Sequence, residues 1–202
     1  MANPIFIAIA GGSGAGKSSL AHAFADAHPE HVRILHLDDY RKEKELLPRV
    51  GAFINWDHPD TIYWDFLVSD LSELKSGRSI TVHKKSERFD SHGLSDDDTS
   101  RTVEPVKFIL LDGYLALWYE GARAFFDLSV FLYLSHEQRI ARRKKFNDVE
   151  DGQAYFDAVL IPMHNEFVEP TKQYADCIID VENISKDDKL KKFTVIIEER
   201  YG

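Results

Sequence analysis

Eight consecutive residues, Gly11-Gly12-Ser13-Gly14-Ala15-Gly16-Lys17-Ser18, carry the plainest chemical signal in the chain. They match the pattern G-x-x-x-x-G-K-[ST] at every fixed position. Glycines let the backbone curl until successive N–H groups converge on phosphate oxygens. A helix that starts at this point adds the positive end of its dipole. Lys17 then reaches the β- and γ-phosphates, the Ser18 hydroxyl is suited to ligate Mg2+, and Ser19 follows directly as a further phosphate contact. The plain alternative is a glycine-rich turn that binds nothing. The motif follows an apolar run and opens an amphipathic one, which is the context phosphate binding needs, so the sequence predicts a site for ATP with Mg2+.

Acidic groups complete such a site. The apolar run Phe108-Ile109-Leu110-Leu111 delivers Asp112 at its end, and a second apolar run ends at Asp38. Strand ends of a parallel sheet share one edge, so Lys17, Ser18, Asp38 and Asp112 should meet in one crevice. Ser18, Asp38 and Asp112 are the candidate metal contacts. Asp38 is also the candidate catalytic carboxylate beside Lys17, since it can orient an acceptor hydroxyl and take its proton late in phosphoryl transfer. The segment Asn55-Trp56-Asp57-His58-Pro59-Asp60 has two readings. Asp57 grips vicinal ribose hydroxyls while Trp56 offers a flat face to a ring; or Trp56 is core, and Asp57 or Asp60 caps the next helix. The basic cluster Arg139, Arg142, Arg143, Lys144, Lys145 is either a lid that covers the phosphates or a solvated helix face. No Asn-Lys-x-Asp guanine-reading motif occurs, which argues against a GTPase. A small-molecule kinase fits best, and a nucleotide-binding module without transfer activity is the rival from another class.

The elements that must hold these residues follow from periodicity. Continuous apolar runs at 5–10, 32–37, 106–111, 128–134 and 177–181 predict strands buried on both faces. Helical spacing appears at 18–28, at 60–76 with a stripe of Ile62, Phe66, Leu67, Leu71 and Leu74, at 137–145 behind Ser135 as N-cap, at 155–168 with a break at Pro162, and at 186–200. Alternating strands and helices predict an α/β P-loop NTPase fold: a parallel five-stranded sheet flanked by helices, with a small projecting β-hairpin and a lid. Residues 1–202 are expected to form a single kinase domain, with a hairpin insertion at 78–105 and a lid region at 137–162. The acidic run Asp96-Asp97-Asp98 reads as a solvated loop.

Composition bounds the rest. The 25 Lys+Arg against 34 Asp+Glu leave a net charge of −9, which argues against a nucleic-acid partner. One cysteine, Cys177, excludes an internal disulfide and reads as a buried small hydrophobe. No stretch is long and apolar enough to span a bilayer, and no signal peptide opens the chain, so a cytoplasmic protein is expected. Homo-oligomerisation is left open.

Taken together, the chain resembles the uridine kinase family, within the wider group that holds phosphoribulokinase and nicotinamide riboside kinase. The resemblance covers nearly the whole chain. It rests on the phosphate loop, Leu37-Asp38-Asp39-Tyr40, the segment Asn55 to Asp60, Leu111-Asp112-Gly113-Tyr114-Leu115-Ala116, Arg139-Ile140-Ala141-Arg142-Arg143, and Glu169-Pro170-Thr171-Lys172-Gln173-Tyr174-Ala175-Asp176. It implies ATP-dependent phosphorylation of a ribosyl 5′-hydroxyl. Asp38 falls on the family's catalytic carboxylate, Asp57 on its ribose-binding aspartate and Asp112 on the acid near Mg2+; Arg139 and Arg143 become ATP contacts. Two departures bear on the base. The hairpin carries His83 and Arg88 where uridine kinases have a Tyr and a His, and the Arg-Asp…Arg-Gly-Arg lid sequence is replaced by Lys145-Phe146-Asn147-Asp148. Tyr155-Phe156-Asp157 resembles nicotinamide riboside kinases, in which Trp56 and Tyr155 would sandwich the ring; packing within a helix is the other reading.

Overall fold

The computed structural model describes residues 3–83, 100–146 and 152–202, with the side chains of residues 83 and 143–146 outside that description. The chain runs β1 (Ile5–Gly11), α1 (Lys17–Ala27), β2 (Val32–His36), the short antiparallel pair β3 (Arg49–Val50) and β4 (Phe53–Ile54), and α2 (Trp64–Lys75). It continues through the hairpin β5 (Ile80–His83) and β6 (Ser100–Val103), then β7 (Phe108–Asp112), α3 (Glu120–Arg123), β8 (Leu128–Tyr133) and α4 (His136–Phe146). The last part holds α5 (Gly152–Tyr155), α6 (Ile161–Met163), β9 (Cys177–Asp180) and α7 (Lys186–Tyr201).

Five strands pair in the order β2-β7-β1-β8-β9, every pair parallel. Alternation along β1 sorts its side chains. Phe6, Ala8 and Ala10 pack on one face with Leu67, Leu71 and Leu74 of α2. Ile7 and Ile9 pack on the other with Leu20 and Phe24 of α1 and Phe193 and Ile197 of α7. Both faces are covered, which is why these strands read as unbroken apolar runs. The expected five strands and the projecting β5–β6 hairpin are all present. Among the described residues, no helix is long and apolar enough to cross a membrane.

Several details differ from expectation. Phe66 is 63% exposed, because it lies about 100° around α2 from the buried stripe of Leu67, Leu71 and Leu74. Neither Asp57 nor Asp60 caps α2; instead the His58 imidazole accepts from the Asp60 amide at 3.1 Å and caps the 3-10 turn. The Ser135 hydroxyl donates to Glu182. No break occurs at Pro162. Wide π turns at Phe156–Leu160 and His164–Val168 flank α6 and open the hydrogen-bond ladder where proline supplies no donor. Cys177 is half-buried, since it starts the edge strand β9. Arg88, Asn147, Asp148 and Asp96-Asp97-Asp98 lie outside the described residues.

Candidate functional site

β7 lies between β1 and β2, parallel to both, and a crevice opens above the carboxyl ends of the three strands. A cavity of about 910 Å³ occupies it. Lys17, Ser18, Asp38 and Asp112 all line this cavity, as do Ser13, Gly14, Gly16, Ser19, Trp56 and Asp57.

The phosphate loop forms one end. Gly14 and Gly16 have φ of 86° and 82°, a left-handed conformation that residues with a Cβ rarely adopt. Gly16 immediately precedes α1, so the free amides of its first turn open towards the cavity. The Lys17 ammonium donates to the Gly12 carbonyl at 3.2 Å, which folds it back over the loop. Ala15 is fully buried beneath the loop, and neither it nor Gly11 or Gly12 lines the cavity.

Asp112 closes β7 beside β1, in register with Ile9. The turn after it needs Gly113, whose added Cβ would sit 2.5 Å from the Leu37 Cβ; this close approach draws Asp112 towards the 3-10 turn Leu37–Tyr40 that carries Asp38. Asp112 Oδ2 lies 3.2 Å from His36 Nδ1. Burial alone pushes the Asp112 carboxyl up, but the His36 contact and the Lys17 charge outweigh it and hold the group below the ordinary carboxylate range. Its Oδ1 is buried without a hydrogen-bond partner among the described residues. An ionised carboxylate oxygen with spare valence, sharing the cavity with the Ser18 hydroxyl, is a donor set that fits Mg2+. Among the described residues no group of three or more His, Cys, Asp or Glu could cage a metal. That matches the habit of Mg2+, which takes one or two protein ligands and completes its shell with phosphate and water. Asp38, the third candidate metal contact, lines the same cavity, and its Oδ1 accepts from Arg41 Nη2 at 2.6 Å.

The other end is built from side chains. Asn55, buried beneath the segment, accepts the Asp57 amide at 3.1 Å in an Asx turn that presents Asp57 to the cavity. The Tyr155 hydroxyl donates to Asp57 Oδ2 at 3.1 Å. The Tyr114 hydroxyl donates to the Trp56 carbonyl at 2.7 Å, and the Arg41 guanidinium lies over the Trp56 ring, 5.4 Å from its centroid. Tyr155 is buried and does not line the cavity; its ring meets Phe53 edge-on at 5.8 Å. Of the two readings for Tyr155, packing matches its place: it lies in a small core with Phe156, Val159 and Leu160, against which Trp56 also rests.

The basic helix divides its residues. Arg139 is 3% exposed and sits under the loop, with its Nη2 at 2.9 Å from His136 Nδ1, whereas Arg142 lines the cavity and donates to the Val181 carbonyl at 3.1 Å. The arginine repeat is legible in sequence, but which member faces the cavity depends on helix phase. The side chains of Arg143 and His83 fall outside the description. His22, His36, Arg41, Lys186 and Lys189 also line the cavity although no motif marks them, and so does Tyr114 of the segment Leu111 to Ala116. Arg41 was within reach, three residues after Asp38; Lys189 carries no local signal.

Sheet order, loop and cavity define a P-loop kinase of small molecules. Residues 6–186 match the Phosphoribulokinase / Uridine kinase family, and the chain belongs to that family. It is 35% identical to the uridine kinase of Brevibacillus brevis over 188 residues, covering 89% of this chain and 86% of that one. Against the uridine kinase of Halobacterium salinarum it is 35% identical over 180 residues, or 86% and 78% of the two chains. Among solved structures it is similar in fold to a possible uridine kinase from Bacillus stearothermophilus, with a TM-score of 0.63, 19% identity and coverage of 89% and 90%. Shikimate kinase from Acinetobacter baumannii shares the fold more distantly, with a TM-score of 0.54, 17% identity and coverage of 98% and 95%. The protein is a phosphotransferase that acts on a hydroxyl acceptor.

Proposed function

We propose that the protein transfers the γ-phosphate of ATP to the 5′-hydroxyl of a ribonucleoside, as a uridine kinase does. One observation carries this reading: a single cavity joins the phosphate loop to Asp38, Asp57 and Trp56. Family membership and relatives named uridine kinase along most of the chain support it. Lys17 and the loop amides around Gly11 to Ser19 hold the triphosphate. Ser18 and Asp112 would hold Mg2+, which when bound offsets charge on the β- and γ-phosphates. Asp38, steered by Arg41, accepts a hydrogen bond from the acceptor hydroxyl and takes its proton as the phosphoryl group arrives. Asp57, steadied by Tyr155, binds the ribose hydroxyls. Arg142 covers the phosphates from α4; Arg139 underpins the loop from the same helix. The whole chain acts as one catalytic domain with a hairpin at 78–105 and a lid at 137–162, working in the cytoplasm.

ADP release measured across uridine, cytidine, nicotinamide riboside, ribulose 5-phosphate and pantothenate tests the reading. Saturable turnover near about 1–100 s⁻¹ with a pyrimidine ribonucleoside is expected. Nucleotide binding without turnover on any acceptor would leave only the non-catalytic module standing.

A further inference from the structure

One wall of the cavity comes from no recognised motif. Val181, Ile184, Ser185, Lys186 and Lys189, around the β9–α7 connection and the start of α7, close it beside the phosphate loop. Lys189 is only 6% exposed, and its Nζ donates to the Gly16 carbonyl at 2.9 Å. A backbone carbonyl is a dipole, not a counter-ion. The charges that act on Lys189 are Arg142 from α4, Lys186 from its own helix and Lys17 from α1, and all three are positive. The first turn of α7 adds the positive end of a 16-residue helix, which disfavours a cation there; its acids Asp187 and Asp188 offset this in part, but both are exposed and Asp188 is tied to Ser185. A buried ammonium among like charges destabilises the fold unless an anion joins it. Proteins commonly carry such local cost where a ligand relieves it.

We propose that Lys189 is a nucleotide-binding residue: its ammonium, parked on Gly16 at the start of α1, turns to the triphosphate of bound ATP together with Lys17 and Arg142. The proposal rests on the ATP-dependent reading above and deepens it. It makes α7, the C-terminal helix, part of the nucleotide site. Without nucleotide, burial first and then the charges of Arg142, Lys186 and Lys17 pull the Lys189 ammonium down from 10.5 to about 8. The unfolded chain therefore holds this proton more tightly between about pH 8 and 10.5, and stability of the free protein rises with pH across that window. A polyphosphate anion acts in the opposite direction and draws a proton back onto Lys189 at pH 8–9.

Lys189→Met keeps the stem and removes the charge. Two readouts separate a ligand-binding role from a structural one. The ligand-free variant is expected to melt higher than the parent protein by about 2–4 °C near neutral pH. Its affinity for MgATP, measured by titration calorimetry without any acceptor, is expected to fall about tenfold or more, and proton uptake on binding at pH 8.5 to shrink. Lys189→Arg should restore most of the affinity. Unchanged MgATP affinity in Lys189→Met overturns the proposal, and so does an equal loss in Lys189→Arg or a lower melting temperature for the free Lys189→Met protein. A parent protein that binds no MgATP would instead sink the ATP-dependent reading, and the role of Lys189 with it.

Discussion

The two ends of the cavity follow opposite electrostatic plans. At the nucleotide end Lys17, Arg142, Lys186 and Lys189 stand together beside backbone amides, so positive charge accumulates. At the acceptor end each carboxylate already has a partner within the protein: Asp38 pairs with the Arg41 guanidinium at 2.6 Å, and Asp57 accepts from the neutral Tyr155 hydroxyl at 3.1 Å. The difference suits the ligands. A triphosphate brings negative charge that a cationic cluster attracts, so grouping positive charge there would strengthen its binding. A neutral acceptor brings only hydroxyls, and a carboxylate must then be oriented in advance by a partner that the hydroxyl need not displace. On the proposed function, the nucleotide end would gain affinity from grouped positive charge, and the acceptor end would gain geometry from pairing.

Substitutions at each end should separate in kinetics, and the largest effect is expected at Asp38. Asp38→Asn keeps the shape but removes the proton acceptor, so kcat should drop by about 10²–10⁴ with little change in MgATP affinity. Near-parental turnover would show that Asp38 is not the base and that the acceptor end lacks the assigned chemistry. A smaller effect is expected from Gly14→Ala. It forces a Cβ into φ of 86° and within 3.1 Å of the Arg139 carbonyl, a strain of about 1–3 kcal/mol, or roughly 5- to 150-fold. The loss should fall on the KM for MgATP and spare that for the acceptor; equal losses in both would erase the distinction between the ends. Tyr155→Phe removes one hydrogen bond to Asp57. Acceptor KM should rise by about 2- to 10-fold while MgATP affinity holds, read from initial rates with each substrate varied in turn.

How far the sequence reaches differs between these regions. Gly11 to Ser18 was readable because its conformation is set by local rules: positive φ demands glycine, and the following helix supplies the amides. The strands were readable because both sheet faces are covered, and the unbroken apolar runs say so. Phe66 is the exception: at about 100° per residue it sits on the flank of the stripe set by Leu67, Leu71 and Leu74, and only the packing around α2 shows that this flank faces outward. Tyr155 admits two readings in sequence, a wall of a ring sandwich or a packing residue; its ring packs edge-on against Phe53 while its hydroxyl reaches Asp57, and only the fold could tell these apart. Lys189 gave no signal. Its contact with Gly16 spans 173 residues, and nothing near it in sequence marks it as more than a helix lysine.

The sequence by itself therefore determined the chemistry available here: a phosphate loop, two acids at strand ends, a segment that presents Asp57, and the order of strands and helices that brings them to one sheet edge. Each depends on interactions within a few residues or on the simple alternation of buried faces. Tertiary structure decided which side chains partner them. Arg41 on Asp38, Gly113 against Leu37, Arg142 in the cavity with Arg139 beneath the loop, and Lys189 on Gly16 all follow from helix phase and packing across the sheet. Such pairings are set by distances in space, and a linear pattern does not encode them.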